Sequence, residues 1–103
     1  YDLSYTFEWG QGSYYGASFD GANTASGVTL DNNGNMAAHL TLPFGTIVRV
    51  VNTDTNLITD VEIVDRGPHV DGRPVDLTQG AFLQTGANLS QGLINVRVEV
   101  FLP

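Results

Sequence analysis

From Ile94 to Leu102 the chain alternates cleanly, with Ile94, Val96, Val98, Val100 and Leu102 on one parity and Asn95, Arg97 and Glu99 on the other. A period of two marks a strand with one buried face, and five aliphatic side chains in a row need a sheet around them to cover that face. Ile94, Val96, Val98 and Val100 are therefore expected inside, with Arg97 and Glu99 exposed. The segment 46–52 (T-I-V-R-V-V-N) is β-branched and apolar on both faces except at Arg49. A turn over Thr53 to Asn56 then leads into a strand ending at Asp65. Residues 1–9 (Y-D-L-S-Y-T-F-E-W) are apolar or aromatic at every odd position. They are expected to form a strand-like extension, with Tyr5, Phe7 and Trp9 packed against the main domain of residues 10–103. The alternative is an aromatic strip that stacks on sugar rings. Gly10, Gly12 and Gly16 punctuate a second extended piece around Ser13-Tyr14-Tyr15.

Residues 19–35 are turn-rich, without a helical period, and a loop of that length in a small domain is functional or well tied down. Met36 to Leu40 is a short apolar patch that fits one helical turn. The best helix candidate runs from Thr78 to Gly86, with Thr78 as cap, Ala81, Phe82 and Leu83 as the apolar side and Gly86 at the exit. Five or six strands with one short helix predict a small closed barrel, which removes exposed sheet edges.

The stretch 61–78 (V-E-I-V-D-R-G-P-H-V-D-G-R-P-V-D-L-T) concentrates the chemistry. Val61, Ile63 and Asp65 share one parity, so Asp65 is expected to point where the two apolar side chains point. A carboxylate in that position is costly unless it is paired or used. Asp76 sits between Val75 and Leu77. Read by itself, the stretch fits either a strand–loop–strand connection with structural hydrogen bonds or a site.

Charge and cysteine content narrow the function. The formal net charge is −7 and the basic residues are four arginines without a lysine. Such a chain lacks the phosphate-neutralising stripe that nucleic acid requires, and it is repelled by anionic membranes. No apolar run approaches membrane-spanning length. Without cysteine there is no disulfide, thiolate nucleophile or Cys-ligated zinc. The spacing of Asp65, Asp71, Asp76, His39 and His69 matches no ligand motif, so neither a metal nor another cofactor is expected. A start at Tyr1 rather than Met suggests a processed or trimmed product.

Several blocks, in order, resemble the rare lipoprotein A family, double-psi β-barrel domains related to expansins and barwin-like proteins. They are Gly12-Ser-Tyr-Tyr-Gly16, Thr24-Ala-Ser-Gly27, Ala37-Ala-His39, Thr41-Leu-Pro-Phe-Gly-Thr46, Val48-Arg-Val50, Asp65-Arg-Gly-Pro68, Gly72-Arg73 and Val75-Asp-Leu-Thr78. The resemblance implies an all-β, six-stranded double-psi barrel with one or two short helices. It also implies action outside the cytoplasm on cell-wall polysaccharide, in bacteria by lytic cleavage of peptidoglycan. By position, Asp76 matches the family's catalytic acid and His39 its groove histidine. Asp65, Thr24, Tyr15, Tyr14 and Arg66 match or adjoin substrate-binding positions. Where the family reads Ser-Gly-Glu, this chain has Ser26-Gly27-Val28, and valine neither donates nor accepts a proton. That departure points to weak or lost activity. Two further readings therefore stand beside a lytic enzyme: a non-catalytic, expansin-like carbohydrate-binding module, and a secreted inhibitor or effector that binds a protein partner through the same scaffold.

Overall fold

The computed structural model describes the backbone of residues 5–101 and the side chains of residues 7–100. Six strands form a closed barrel: β1 (Tyr5–Tyr14), β2 (Met36–Ala38), β3 (Ile47–Asn52), β4 (Ile58–Asp65), β5 (Val75–Leu77) and β6 (Ile94–Phe101). Around the barrel the order is β1-β5-β2-β4-β3-β6. The pairs β1/β5 and β2/β4 are parallel and the other four are antiparallel. One helix, α1 (Gln79–Gln84), and 3-10 turns at Ala17–Phe19 and Leu89–Gln91 complete the described elements.

The alternating C-terminal segment behaves as its pattern requires. Ile94, Val96, Val98 and Val100 of β6 are each at most 3 % exposed and face Val48 and Val50 of β3 inside the barrel. Phe82, fully buried on α1, stacks edge-on against Tyr14 with ring centroids 4.8 Å apart. Burial of each such side chain contributes about 1.5–3 kcal/mol, so this interior carries most of the fold's cohesion.

The register of β1 on β6 corrects two expectations together. Phe7 lies opposite Glu99 and Trp9 opposite Arg97. Cross-strand partners share a face, so the outward parity of β6 turns Phe7, Trp9 and Gln11 outward as well. Phe7 and Trp9 are exposed, not packed inward, while Gly12 and Tyr14 face the core. Arg97 and Glu99 point outward but are largely covered, their side chains 31 % and 15 % exposed. The Arg97 guanidinium lies 5.5 Å from the Phe7 ring and 5.4 Å from the Trp9 ring, and its Nη2 is 2.9 Å from Glu99. β1 runs unbroken across Gly10, which passes so close to the segment before β5 that a Cβ would lie 2.4 Å from the Gly72 carbonyl oxygen. The expectations for residues 1–4, the Tyr5 side chain and Leu102 fall outside the described residues.

Met36 to Ala38 is a strand and not a helical turn. Ala37 pairs with Ile63 on one side and Leu77 on the other, so two sheet partners decide the conformation of a short apolar run. The helix is placed as expected, with Ala81 and Phe82 buried and Gly86 at φ 80° beyond its end. The Thr78 hydroxyl does not cap it, however, and donates instead to Gly34 O at 2.6 Å, while Leu83 is exposed. The long 19–35 loop is tied down. Leu30 is buried, its N–H donates to Ala22 O, and Asn32 accepts from Gln79 N at 2.9 Å.

Candidate active site

β5 is only three residues long, with Val75 and Leu77 buried in the core. Alternation then sends Asp76 to the outer surface of the barrel wall. Its register partners are Ser13 on β1 and Ala38 on β2, and Ala38 in turn pairs with Asp65 on β4. Ser13, Asp76, Ala38 and Asp65 thus form one row across four adjacent strands.

Asp65 reaches that row through a bulge. β2 residues Ala37 and Ala38 oppose Ile63 and Asp65, so Val64 is the extra residue. A bulge re-aims every side chain after it. Asp65 consequently faces away from the interior that holds Val61 and Ile63, contrary to the parity expected from sequence. Its Oδ2 accepts from the Tyr15 hydroxyl at 2.7 Å and its Oδ1 from the Ala25 amide at 2.9 Å.

Their surroundings drive the two carboxyls in opposite directions. At Asp76 burial dominates, and with the nearby Asp65 charge it raises the pKa to about 6 against the lowering pull of the Ser13 hydroxyl (Oγ to Oδ1, 3.2 Å) and the Arg73 charge. At Asp65 burial also acts upward. It is outweighed by the hydrogen bonds from Tyr15, Ala25 and the Arg66 amide and by the Arg66 charge, which hold this carboxyl below its ordinary value. Burial, and then the bond to Asp65 and the surrounding negative charge, push the Tyr15 phenol far up, so it remains a donor. The row therefore pairs a protonatable acid with a fixed carboxylate.

The other expected site residues are distributed more widely. Tyr15 contributes its hydroxyl rather than a stacking face, because its ring is buried against Leu30 and Ala38. Tyr14 has the opposite parity and points into the barrel, donating to Leu89 O at 2.9 Å, so it does not line the outer row. Thr24 binds within its own turn, to Val28 O at 2.7 Å and Ser26 Oγ at 3.0 Å. That turn is what delivers the Ala25 amide to Asp65. The Arg66 guanidinium lies 3.9 Å from the centre of the Phe44 ring and donates to His39 O at 3.3 Å, bracing the loop after β2.

His39 is buried and its ring is fully engaged. Nδ1 accepts from the Thr41 and Leu42 amides, each at 3.1 Å, which places the proton on Nε2. Nε2 donates to Glu8 Oε1 at 2.7 Å. Val28, at the departing position, is exposed beside the Thr24 turn. Sequence reasoning missed Ser13 and Glu8. Ser13 shares the outward parity of Trp9, a signal hidden by the opposite facing assigned to that strand, while Glu8 acquires significance only through a partner 31 residues away. Among the described residues, no three His, Asp or Glu side chains are grouped to hold a metal ion.

A closed barrel of two parallel and four antiparallel pairings, with an acid pair set across β5, β2 and β4, is a double-psi β-barrel. More narrowly, the chain belongs to the lytic transglycolase family, which matches residues 8–98. It is 43 % identical over 93 residues to the endolytic peptidoglycan transglycosylase RlpA of Vibrio cholerae, covering 90 % of this chain and 35 % of that protein. Against the Campylobacter jejuni protein of the same name the identity is 42 % over 91 residues, with coverage of 88 % and 33 %. The chain thus spans about a third of the length of these relatives. Among solved structures, the Streptomyces papain inhibitor superposes with a TM-score of 0.73 at 24 % identity, covering 95 % of this chain and 96 % of that one. A Clavibacter michiganensis expansin gives 0.73 at 17 % identity, covering 95 % and 51 %, and a mutant of it was solved in complex with cellohexaose. At these identities the two structures speak for the fold alone.

Proposed function

We propose that this domain cleaves peptidoglycan glycan strands by lytic transglycosylation outside the cytoplasm, with Asp76 as the general acid and base. The observation that supports it most is the divergence of two neighbouring carboxyls, one raised to about 6 and the other held ionised. The kinship with peptidoglycan transglycosylases points the same way. Among the described residues no helix is long and apolar enough to cross a membrane.

In this reaction the sugar's own 6-hydroxyl attacks its anomeric carbon, so no water has to be activated. Protonated Asp76 gives its proton to the departing glycosidic oxygen as the C1–O bond breaks. The resulting carboxylate takes the proton from the 6-hydroxyl as the new C1–O6 bond closes the 1,6-anhydro ring. Asp65, kept anionic by Tyr15 and Ala25, stabilises the positive charge that develops at the anomeric carbon. In this scheme Tyr15 and the Thr24 turn position Asp65, while His39 positions Glu8 and the loop after β2.

Liquid chromatography with mass spectrometry of digested sacculi tests the proposal, because anhydro ends report lytic chemistry directly. The parent protein should release them, and Asp76→Asn should lower the rate by about 100-fold or more. Equal release by Asp76→Asn would overturn the assignment. The exposed Val28 favours a second reading, a module that binds glycan without cutting it. If the parent does not cleave and Val28→Glu does not restore cleavage, that reading prevails.

A further inference from the structure

The outer row of Ser13 and Asp76 does not end the face it lies on. On β1 the outward positions continue from Ser13 through Gln11 to Trp9, and at about 3.4 Å per residue Trp9 lies about 14 Å from Ser13. There the chain opens into a cleft of about 470 Å³ lined by Glu8, Trp9, Leu40, Val70, Asp71 and Arg73, among others. The Gln11 amide ties β1 to the 70–74 segment that lines the cleft, donating to Gly72 O at 2.9 Å. Arg73 joins the two regions, for it lines the cleft while its charge is felt at Asp76.

Two features of this cleft are built to meet a ligand. Trp9 is 65 % exposed, although the Arg97 guanidinium 5.4 Å from its ring holds it from the β6 side. An indole fixed in this way is a preformed platform that loses little entropy when a ring stacks on it. Glu8 is likewise fixed, with Oε1 bound to the buried His39, while its side chain remains 41 % exposed. Trp9 is not needed to close the barrel, because Gly12 and Tyr14, the β1 residues that face the core, have the other parity; Glu8 shares their parity but meets His39 and not the aliphatic core.

We propose that this cleft is a distal saccharide subsite continuous with the acid pair. A pyranose ring of a β-linked glycan packs its C–H face on Trp9, and its hydroxyls donate to Glu8 and accept from Arg73. The inference rests on the glycan reading of Asp76 and adds where the strand runs: from Asp76 along the outer face of β1, toward the residue 70–74 segment. A few sugar units span the distance. The substrate class is thus a β-linked glycan long enough to run from Asp76 to Trp9.

Trp9 is the chain's single tryptophan, so its emission reports on this cleft and on nothing else. Asp76→Asn protein, which keeps the groove shape, is titrated with β-1,4-linked N-acetylglucosamine oligomers of increasing length while emission and calorimetric heat are followed. Saturable emission changes are expected, with affinity rising once the oligomer is long enough to reach from Asp76 to Trp9. Trp9→Ala should weaken binding of long oligomers about tenfold and leave the shortest ones unaffected, whereas Trp9→Tyr should restore most of the loss. Circular dichroism checks that each variant is folded. Calorimetric binding with unchanged Trp9 emission, or equal affinity for long oligomers in Trp9→Ala, overturns the subsite. The outcomes separate the two claims. Cleavage by the parent without a Trp9 response removes the subsite alone. A Trp9 response without anhydro ends from the parent removes the catalytic reading alone. Emission that responds to a protein such as papain and to no glycan, with no anhydro ends from the parent, overturns both.

Discussion

Along β3 and β6, strands of six and eight residues pair antiparallel through Val48 with Val100 and Val50 with Val98, and both inward rows are aliphatic. Across the barrel, β5 and β2 have three residues each, both enter parallel pairings, and a bulge interrupts the contact of β2 with β4. The first wall is redundant, since several side chains say the same thing about facing and register. The second has one residue per decision. Asp76 faces outward because Val75 and Leu77 face inward, and Asp65 joins it because one extra residue, Val64, is accommodated. The long aliphatic pairing supplies core burial, while three-residue β5 and the last residue of β4, just past the bulge, hold carboxyls in surroundings that perturb them.

The largest test of this division compares two residues on β4. Ile63→Ala, just before the bulge and fully buried, should cost about 2–5 kcal/mol in denaturant unfolding. Asp65→Asn, just past it, should cost about 1 kcal/mol, because it removes polar contacts rather than core volume. Equal losses would mean that the bulge does not separate core from site.

His39→Ala should come next, at about 2 kcal/mol, because the Thr41 and Leu42 amides lose their acceptor. His39→Asn, which retains an acceptor near Nδ1, should recover part of that stability. A full loss of activity with unchanged stability would instead make His39 a participant in the chemistry.

Asp76 predicts a gain. Its folded pKa lies above the unfolded value, so between about pH 4 and pH 6 the folded state holds its proton more tightly than the unfolded chain does. Stability from this group is therefore present at low pH and lost as pH rises through 6. Removing the charge with Asp76→Asn should stabilise the protein by about 1–2 kcal/mol at pH 8, allowing for partial solvent screening, and by almost nothing at pH 3. Denaturation at the two pH values measures the difference. The smallest effect is expected at Tyr15→Phe, about 1 kcal/mol or less. It should also raise the Asp65 pKa, visible as an upward shift of the acidic limb of the pH–rate profile.

The same contrast explains what the sequence disclosed. β6 was legible because its alternation is continuous and its inner face uniformly aliphatic. The closed barrel followed from strand content, and the family from its ordered motif blocks. The facing of Phe7 and Trp9 was not legible, because an aromatic-polar alternation is the same string whichever face is buried. Only the register against Arg97 and Glu99 decides it. Nor could Asp65 be oriented, since a bulge lies in the pairing of two strands and leaves no mark in V-E-I-V-D. Met36 to Ala38 read as a helical turn because its strand character comes from Ile63 and Leu77, distant in sequence. Asp76 was identified through its flanks, Val75 and Leu77, the one place on the short-strand wall where local parity was sufficient.

The central claim is that one face of the short-strand wall holds two carboxyls whose surroundings drive them apart. Carboxyl carbon chemical shifts followed by NMR across pH 2 to 9 measure this without substrate. Asp76 should titrate near 6, Asp65 below the ordinary aspartate range, and Asp65→Asn should bring Asp76 down. Titration of both carboxyls at ordinary aspartate values, with Asp76 indifferent to Asp65→Asn, would contradict the account.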